Sequence, residues 1–207
     1  MESQWLTYAK RLQATASTGL YFSKDAFDKE RYQEIADIAN EMLAKLGNIP
    51  VERIASLVSD FAKAYMTPKV DVRGAVIEGR EILLVREKSD GCWTLPGGFA
   101  DVGFSAAENV VKEIREEAGL CVAARSLYSV RHKAKQPYSP DARDFYKLFF
   151  LCEQLDTRAP YAGAEIADVG FFPLESLPEL SKGRVVEADI RAAFAFRDGS
   201  ISLTAFD

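Results

Sequence analysis

The sequence predicts an α/β protein in which a mixed sheet lies between helices, preceded by a small all-helical N-terminal subdomain. Residues 3–66 show apolar positions at helical spacing only, whereas short strand-like segments bounded by turn residues begin after Thr67-Pro68. A single amphipathic helix, between Ser105 and Gly119, interrupts the strands. We therefore expect a helical subdomain over residues 1–66 and an α/β domain over residues 67–207.

The N-terminal subdomain contains three amphipathic segments. Apolar periodicity predicts helices over 5–12 and over 27–46, the second ending at Gly47, and a third that begins at Pro50. A segment of about 65 residues rarely buries enough surface to be stable alone. We therefore expect this subdomain to form a dimer or to cover a substrate.

The α/β domain shows strand signals on both sides of its central helix. Residues 70–77 and 81–86 form a predicted hairpin around Gly79. Further strands are predicted over 121–130, 145–152 and 170–173, followed by a last helix over 185–196. A polar loop, residues 133–143, separates two of these strands.

Composition narrows the class of protein. The chain of 207 residues has a net charge of −5 and a pI near 5.1, which argues against a nucleic-acid partner. Cys92, Cys121 and Cys152 lack the C-x-x-C spacing of a zinc site and do not suggest a disulfide framework. The first residues lack the apolar core of a signal peptide, and no apolar run reaches about 18 residues. The expected location is the cytoplasm, without membrane contact.

The central helix carries three closely spaced carboxylates. At about 100° per residue, Glu113, Glu116 and Glu117 fall within an arc of roughly 100°, beside an apolar stripe formed by Val110, Ile114 and Ala118. Like charges four residues apart destabilise a helix by about 0.2–0.5 kcal/mol, and a divalent cation reverses that cost. Such an acidic face is either simply solvated or a platform for a hard cation such as Mg²⁺ and the phosphates it binds.

Signals at the ends of this helix favour the metal site. Ser105 and Glu108 have the spacing of a capping box, and Gly119 suits the left-handed position that ends a helix. Before the helix, Pro96-Gly97-Gly98 predicts a tight loop whose backbone can approach a ligand closely.

The segment from Gly98 to Leu120 resembles the Nudix box, G-x5-E-x7-R-E-U-x-E-E-x-G-U, where U is aliphatic. The matching residues are Gly98, Glu113, Ile114, Glu116, Glu117, Gly119 and Leu120. Phe104 stands where the box has its first glutamate, and Lys112 where it has arginine. Lys112 keeps the positive charge but lacks the planar fork of arginine. Glu108 precedes Lys112 by four residues, which predicts an ion pair replacing part of the usual network.

The resemblance implies the Nudix α/β/α sandwich and metal-dependent hydrolysis of a pyrophosphate bond. The flanking segments, such as 83–91 and 146–152, are similar to a bacterial branch with a helical N-terminal extension, described as ADP-ribose or CDP-choline pyrophosphatases. The resemblance further implies that Glu113, Glu116 and Glu117 bind Mg²⁺ or Mn²⁺, with the backbone carbonyl of Gly97 or Gly98 as an additional ligand. A homodimer is also implied.

Residues outside the box are candidates for the catalytic base and for binding the substrate. By resemblance, Glu165 is the first candidate for the base that activates water, with Glu117 or Glu113 as the alternative. Arg73, Arg86 and Arg131 are candidates for binding the substrate's phosphates. An ordinary salt bridge at the surface is the alternative role for each of the three.

Two classes of function remain open at this point. The chain is either a pyrophosphohydrolase acting on a nucleoside diphosphate derivative or a Nudix-like sensor that binds such a ligand without hydrolysing it. Phe104 and Lys112 favour the sensor. Retention of all three glutamates favours the enzyme, because a protein that only binds the ligand has no need of them.

Overall fold

The computed structural model describes residues 3–47, residue 54 and residues 67–207. The described chain forms two compact units. The first contains the residues up to Lys69 together with Ala134–Phe145, and the second contains Val70–Lys133 and Tyr146–Asp207. The predicted third helix lies outside the described residues, apart from Ile54. No helix in the described ranges is both long and apolar enough to cross a membrane.

The first unit is built on two helices, α1 (Gln4–Phe22) and α2 (Ala26–Gly47). Helix α1 runs ten residues beyond its predicted end, because the small residues that weaken its apolar periodicity, Ala16 and Ser17, are buried. Helix α2 buries mainly alanines and Leu43. Ala142, from the polar loop between two strands, joins the same apolar cluster, and this loop therefore belongs to the helical unit.

The second unit contains most of a mixed sheet and two helices. The strands of the described chain are β1 (Lys69–Glu78), β2 (Glu81–Glu87), β3 (Trp93–Thr94), β4 (Val122–His132), β5 (Phe145–Gln154), β6 (Ile166–Pro173) and β7 (Ala205–Phe206), and the helices are α3 (Ala106–Ala118) and α4 (Glu187–Arg197). These strands run in the order β3-β2-β1-β5-β4-β7, with β6 paired to β2. Strand β6 begins four residues earlier than predicted, because it pairs with β2 along the length of that strand.

A helix covers each face of the sheet. Val110 and Ile114 of α3 pack in one apolar cluster with Val72, Leu83 and Phe150 of three strands, among others. Successive strand residues point to opposite faces, so Phe149 lies on the other side, where it contacts Tyr128. The Tyr128 hydroxyl donates to the carbonyl of Asp189 in α4 at 3.2 Å. The predicted α/β/α sandwich is confirmed.

The glycine loop before α3 fills a fork between two strands. Strands β1 and β2 pair only at their hairpin end, Ile77 with Ile82 and Glu78 with Glu81. Farther along, the backbone of residues 93–94 pairs with β2. The carbonyls of Pro96 and Gly98 accept the amides of Gly74 at 2.9 Å and Val72 at 2.8 Å in β1. Backbone hydrogen bonds therefore fix this loop in the fork between the strands.

Gly97 is required at the centre of this fork. Its φ is 142°, and a Cβ placed there would lie 2.0 Å from the carbonyl oxygen of Val72. We expect Gly97→Ala to cost about 1–3 kcal/mol more than the backbone strain alone, because the loop must move off β1. The matched control is Gly91→Ala: its φ is 71°, but no atom of the described residues lies within 4 Å of the added methyl group. Urea unfolding measures both, and equal losses would contradict the close approach.

Candidate active site

The helix that carries the carboxylates has the predicted ends. The Ser105 hydroxyl accepts the Glu108 amide at 3.2 Å, and the Glu108 carboxylate accepts the Ser105 amide at 2.7 Å. Gly119 adopts the left-handed conformation, with φ 69°. The capping box and the glycine stop are thus confirmed, and they fix where each glutamate of α3 projects.

Two of the three glutamates face the glycine loop. Glu117 Oε2 accepts the amide of Gly97 at 2.8 Å. The Glu113 carboxyl atoms lie 3.3 Å from the point that a Cβ on Gly98 would occupy. Burial raises the pKa of Glu113, and it raises the pKa of Glu117 to about 7 although the Gly97 amide and Arg73 act in the opposite direction. Both carboxylates are therefore placed where a bound cation would relieve the cost of their burial.

Glu116 points instead toward Lys112. Lys112 Nζ lies 3.0 Å from Glu116 Oε2 and 3.2 Å from Asp101 Oδ2. The predicted pair between Glu108 and Lys112 is wrong, because the Glu108 carboxylate is engaged in the capping box. In this arrangement, within the ranges that the structure describes, no three His, Cys, Asp or Glu side chains are grouped closely enough to hold a metal ion.

Asn109, which the sequence pattern did not single out, fixes the loop that leads into the helix. Its side chain is fully buried. Its Oδ1 accepts the Asp101 amide at 2.9 Å, and its Nδ2 donates to the carbonyls of Asp101, Phe104 and Ser105 at 3.1–3.4 Å. The available signal was a lone amide beside the apolar stripe of α3. Phe104 is 53% exposed, so its ring does not replace the missing glutamate of the box.

The structure gives Arg73 a different position from the expected one. Only 4% of Arg73 is exposed, and its guanidinium donates two hydrogen bonds to Asp71 at 2.9 Å and one to the carbonyl of Leu95 at 3.2 Å. Lys147, 2% exposed, donates to the same Asp71 at 2.9 Å. Arg73 therefore supports the loop from below, and this favours a structural role over a phosphate-binding one.

Arg86 and Arg131 form longer and more exposed ion pairs than Arg73 does. Arg86 Nη2 lies 3.5 Å from Asp168 Oδ2, with 42% of the arginine side chain exposed. Arg131 lies in β4 directly opposite Lys147, and its Nη1 is 3.8 Å from Asp207 Oδ1. Arg86 is thus the most accessible of the three predicted phosphate ligands.

The loop before β6 is attached to the end of α3. The amides of Tyr161 and Gly163 donate to the carbonyls of Ala118 and Glu117, each at 3.0 Å. Glu165 follows in an exposed turn immediately before β6. The predicted base therefore lies on a segment whose backbone is anchored to the carboxylate helix.

The two glycine carbonyls of the loop are not equivalent. The Gly98 carbonyl already accepts the Val72 amide. No donor among the described residues bonds the Gly97 carbonyl. Of the two predicted backbone ligands, Gly97 is therefore the one with the uncommitted oxygen.

A sandwich with acidic residues of one helix facing a glycine loop defines a hydrolase of the Nudix type. Residues 68–194 match the model of the NUDIX domain, and residues 3–58 match a model described as a UDP-X-like, N-terminal oligomerisation domain. The chain belongs to the Nudix family and is a Nudix hydrolase, as the resemblance predicted.

Several relatives match most or all of the chain. "Putative ADP-ribose pyrophosphatase YjhB" of Bacillus subtilis is 41% identical over all of this chain and 99% of its own. A crystal structure of a UDP-X diphosphatase covers both chains fully, with 34% identity and a TM-score of 0.64. An ADP-ribose pyrophosphatase from Streptococcus suis covers 68% of this chain and 100% of its own, with 38% identity and a TM-score of 0.61.

The buried charges below the loop give a stability prediction. Asp71→Asn leaves Arg73 and Lys147 buried without a counter-charge, and we expect a loss of about 3–5 kcal/mol in urea unfolding. Glu153→Gln is the control, because its 2.6 Å pair with Arg125 is exposed and contributes about 0–1 kcal/mol. Equal losses in the two variants would show that the buried cluster does not support the fold.

The buried cluster of Asp71, Arg73 and Lys147 makes the stability of the fold depend on pH. Burial by itself raises the pKa of Asp71, but Arg73 and Lys147 outweigh it and lower this pKa from 3.8 to about 2. Because the folded value is the lower one, the stabilisation by Asp71 is complete above about pH 4 and is lost as pH falls toward 2. The wild-type protein should therefore lose more stability over this window than Asp71→Asn does.

Proposed function

We propose that this protein hydrolyses the pyrophosphate bond of a nucleoside diphosphate derivative of the CDP-choline or ADP-ribose type. The products are a nucleoside monophosphate and a phosphorylated second product. The position of Glu113 and Glu117 against the Gly97-Gly98 loop carries this proposal. Relatives named ADP-ribose pyrophosphatase and UDP-X diphosphatase support a substrate of this class.

The donors of the site fit Mg²⁺ or Mn²⁺. Carboxylate and carbonyl oxygens are the ligands that these cations prefer. Glu113, Glu117 and the Gly97 carbonyl would hold the cation, and Glu116 would join them after its side chain leaves Lys112. A bound divalent cation neutralises phosphate charge and lowers the pKa of water.

Three glutamates are candidates for removing the proton of the attacking water. Glu165 is supported by its exposure and by the anchoring of its loop to the end of α3. Glu117 and Glu113, the alternatives, are supported by their positions against the Gly97-Gly98 loop. Arg86 and Arg131 are proposed to bind the substrate, while Arg73 keeps the loop in position.

Glu116→Gln tests the carboxylate cluster. We expect kcat to fall at least about 100-fold with the fold retained, because one charged oxygen donor is lost from the site. The measurement is phosphate release through a coupled phosphatase, from CDP-choline, ADP-ribose and related compounds, with Mg²⁺ or Mn²⁺.

The control is Glu187→Gln in α4. Like Glu116, Glu187 is half-exposed and pairs with a cation four residues away, but it lies outside the site. Hydrolysis unchanged in Glu116→Gln would remove the box from the mechanism. Tight binding of one compound without hydrolysis by the wild-type protein would establish the sensor instead, in which the pair between Lys112 and Glu116 keeps that carboxylate from the metal.

We propose further that the N-terminal helices form a homodimer. Large apolar side chains remain exposed on α1 and α2: Trp5 at 66%, Phe22 at 63%, Phe27 at 71% and Ile38 at 52%. Exposed apolar side chains concentrated on one pair of helices are typical of an association surface. The match of residues 3–58 to a model named for oligomerisation supports the same assignment.

Ile38→Lys tests this surface. A charge placed in an apolar interface must be desolvated, so we expect the variant to be a folded monomer. Light scattering coupled to size exclusion gives the mass, and circular dichroism checks the fold. Leu203→Lys is the control, because Leu203 is 79% exposed and lies outside the helical unit. A wild-type monomer, or a dimer in Ile38→Lys, would contradict this assignment.

A further inference from the structure

The guanidinium of Arg86 makes no hydrogen bond to any of the described residues. Its Nη2 makes a 3.5 Å ion pair with Asp168, and its buried Nε has no partner in the part of the chain that the structure describes. A buried donor without an acceptor is costly, and such groups call for an explanation. Arg73, by contrast, directs its donors to Asp71, Leu95 and Thr94. The guanidinium of Arg86 is therefore not committed to the fold, and its 42% exposed side chain leaves it accessible to a ligand.

Trp93 lies beneath this guanidinium. Arg86 Cζ is 5.8 Å from the centroid of the Trp93 ring, which is half-buried. The edge contact between Trp93 and Phe172, at 4.6 Å between centroids and 69° between planes, fixes the indole. The guanidinium thus makes a cation–π contact with the indole at an accessible position, with 42% of the Arg86 side chain exposed.

The backbone of Trp93 is held on both of its edges. On one side it pairs with Arg86 in β2. On the other, its amide donates to the carbonyl of Glu179 at 2.9 Å, and its carbonyl accepts the amide of Ser181 at 2.7 Å. Arg184 donates to Ser181 and to Asp90, at 2.9 and 2.7 Å, and so ties this second segment to the turn before Trp93. The platform formed by the Arg86 guanidinium and the Trp93 indole is therefore preorganised, which lowers the entropic cost of binding a ligand.

The platform is next to the candidate active site along the chain. Gly97 follows Trp93 by four positions, and four residues span at most about 14 Å. This separation is one that the nucleoside of a ligand can bridge when its phosphates lie at the Gly97-Gly98 loop. Asp168, 54% exposed, adds a hydrogen-bond acceptor beside the guanidinium.

We propose that Arg86, Trp93 and Asp168 form the subsite for the nucleobase of the substrate. A base stacks on the accessible guanidinium of Arg86, which lies over the indole of Trp93, as bases do on arginine planes. Its polar edge donates to the carboxylate of Asp168. This subsite rests on the proposed function, since it assigns the nucleoside end of the same substrate.

The protein contains two tryptophans, so Trp5→Phe leaves Trp93 as its single indole. We expect AMP and CMP to change the emission of Trp93 saturably in this background, with EDTA present so that no hydrolysis is involved. Ribose 5-phosphate, which has the phosphate but no base, should leave the emission unchanged. An equal response to all three compounds would overturn the assignment, because it would report phosphate binding alone.

Kinetics of the full chain provide the second readout. We expect Arg86→Met and Trp93→Leu to raise KM for the hydrolysed substrate about tenfold or more, with kcat little changed. Trp93→Phe, which keeps an aromatic face, should retain most of the affinity. Arg125→Met is the matched control, because Arg125 is also an exposed strand arginine in an ion pair. Unchanged KM in both Arg86→Met and Trp93→Leu would overturn the subsite.

The two proposals fail in different ways. Hydrolysis by the wild-type protein, together with no response of Trp93 to AMP or CMP, removes the subsite and leaves the pyrophosphatase intact. A saturable response of Trp93 to nucleotides without hydrolysis of any compound removes the enzymatic function and supports the subsite.

Discussion

The candidate site depends on the backbone pairing of the glycine loop in the fork between β1 and β2. The carbonyls of Pro96 and Gly98 bond to β1, while residues 93–94 pair with β2. Backbone hydrogen bonds in a buried fork leave little freedom, and Gly97 is the residue whose lack of a side chain permits it. The loop then supplies the amide that Glu117 accepts and the carbonyl proposed as a ligand, so carboxylate and loop positions are set together.

The buried charges below the loop complement this pairing. Asp71 balances two cations, Arg73 and Lys147, and Arg73 also donates to the carbonyl of Leu95. On the other side of the loop, Glu113 and Glu117 have raised pKa values because they are partly removed from water. The site thus separates committed charges, which stabilise the fold, from carboxylates whose burial opposes their ionisation.

The departures from the Nudix box change how the site is supported, not which acids it presents. Lys112 connects Glu116 to Asp101 through two ion pairs. Asn109 binds the backbone of the preceding loop through four hydrogen bonds. A lysine is a point charge on a flexible stem, whereas a buried amide fixes geometry through directed hydrogen bonds. Asn109 therefore contributes positional order in a loop whose Phe104 side chain, in place of a glutamate, is exposed.

The sequence by itself determined the family, the sandwich fold and helix α3 with both of its ends, because capping, periodicity and box spacing are local. Only the tertiary structure decided that 134–145 packs with the helical unit, that Arg73 is buried against Asp71 while Arg86 stays accessible, and that Lys112 pairs with Glu116 rather than Glu108. These outcomes depend on which strands become neighbours and which partners compete for a charge. Such contacts join residues far apart in the chain, and no local pattern encodes them.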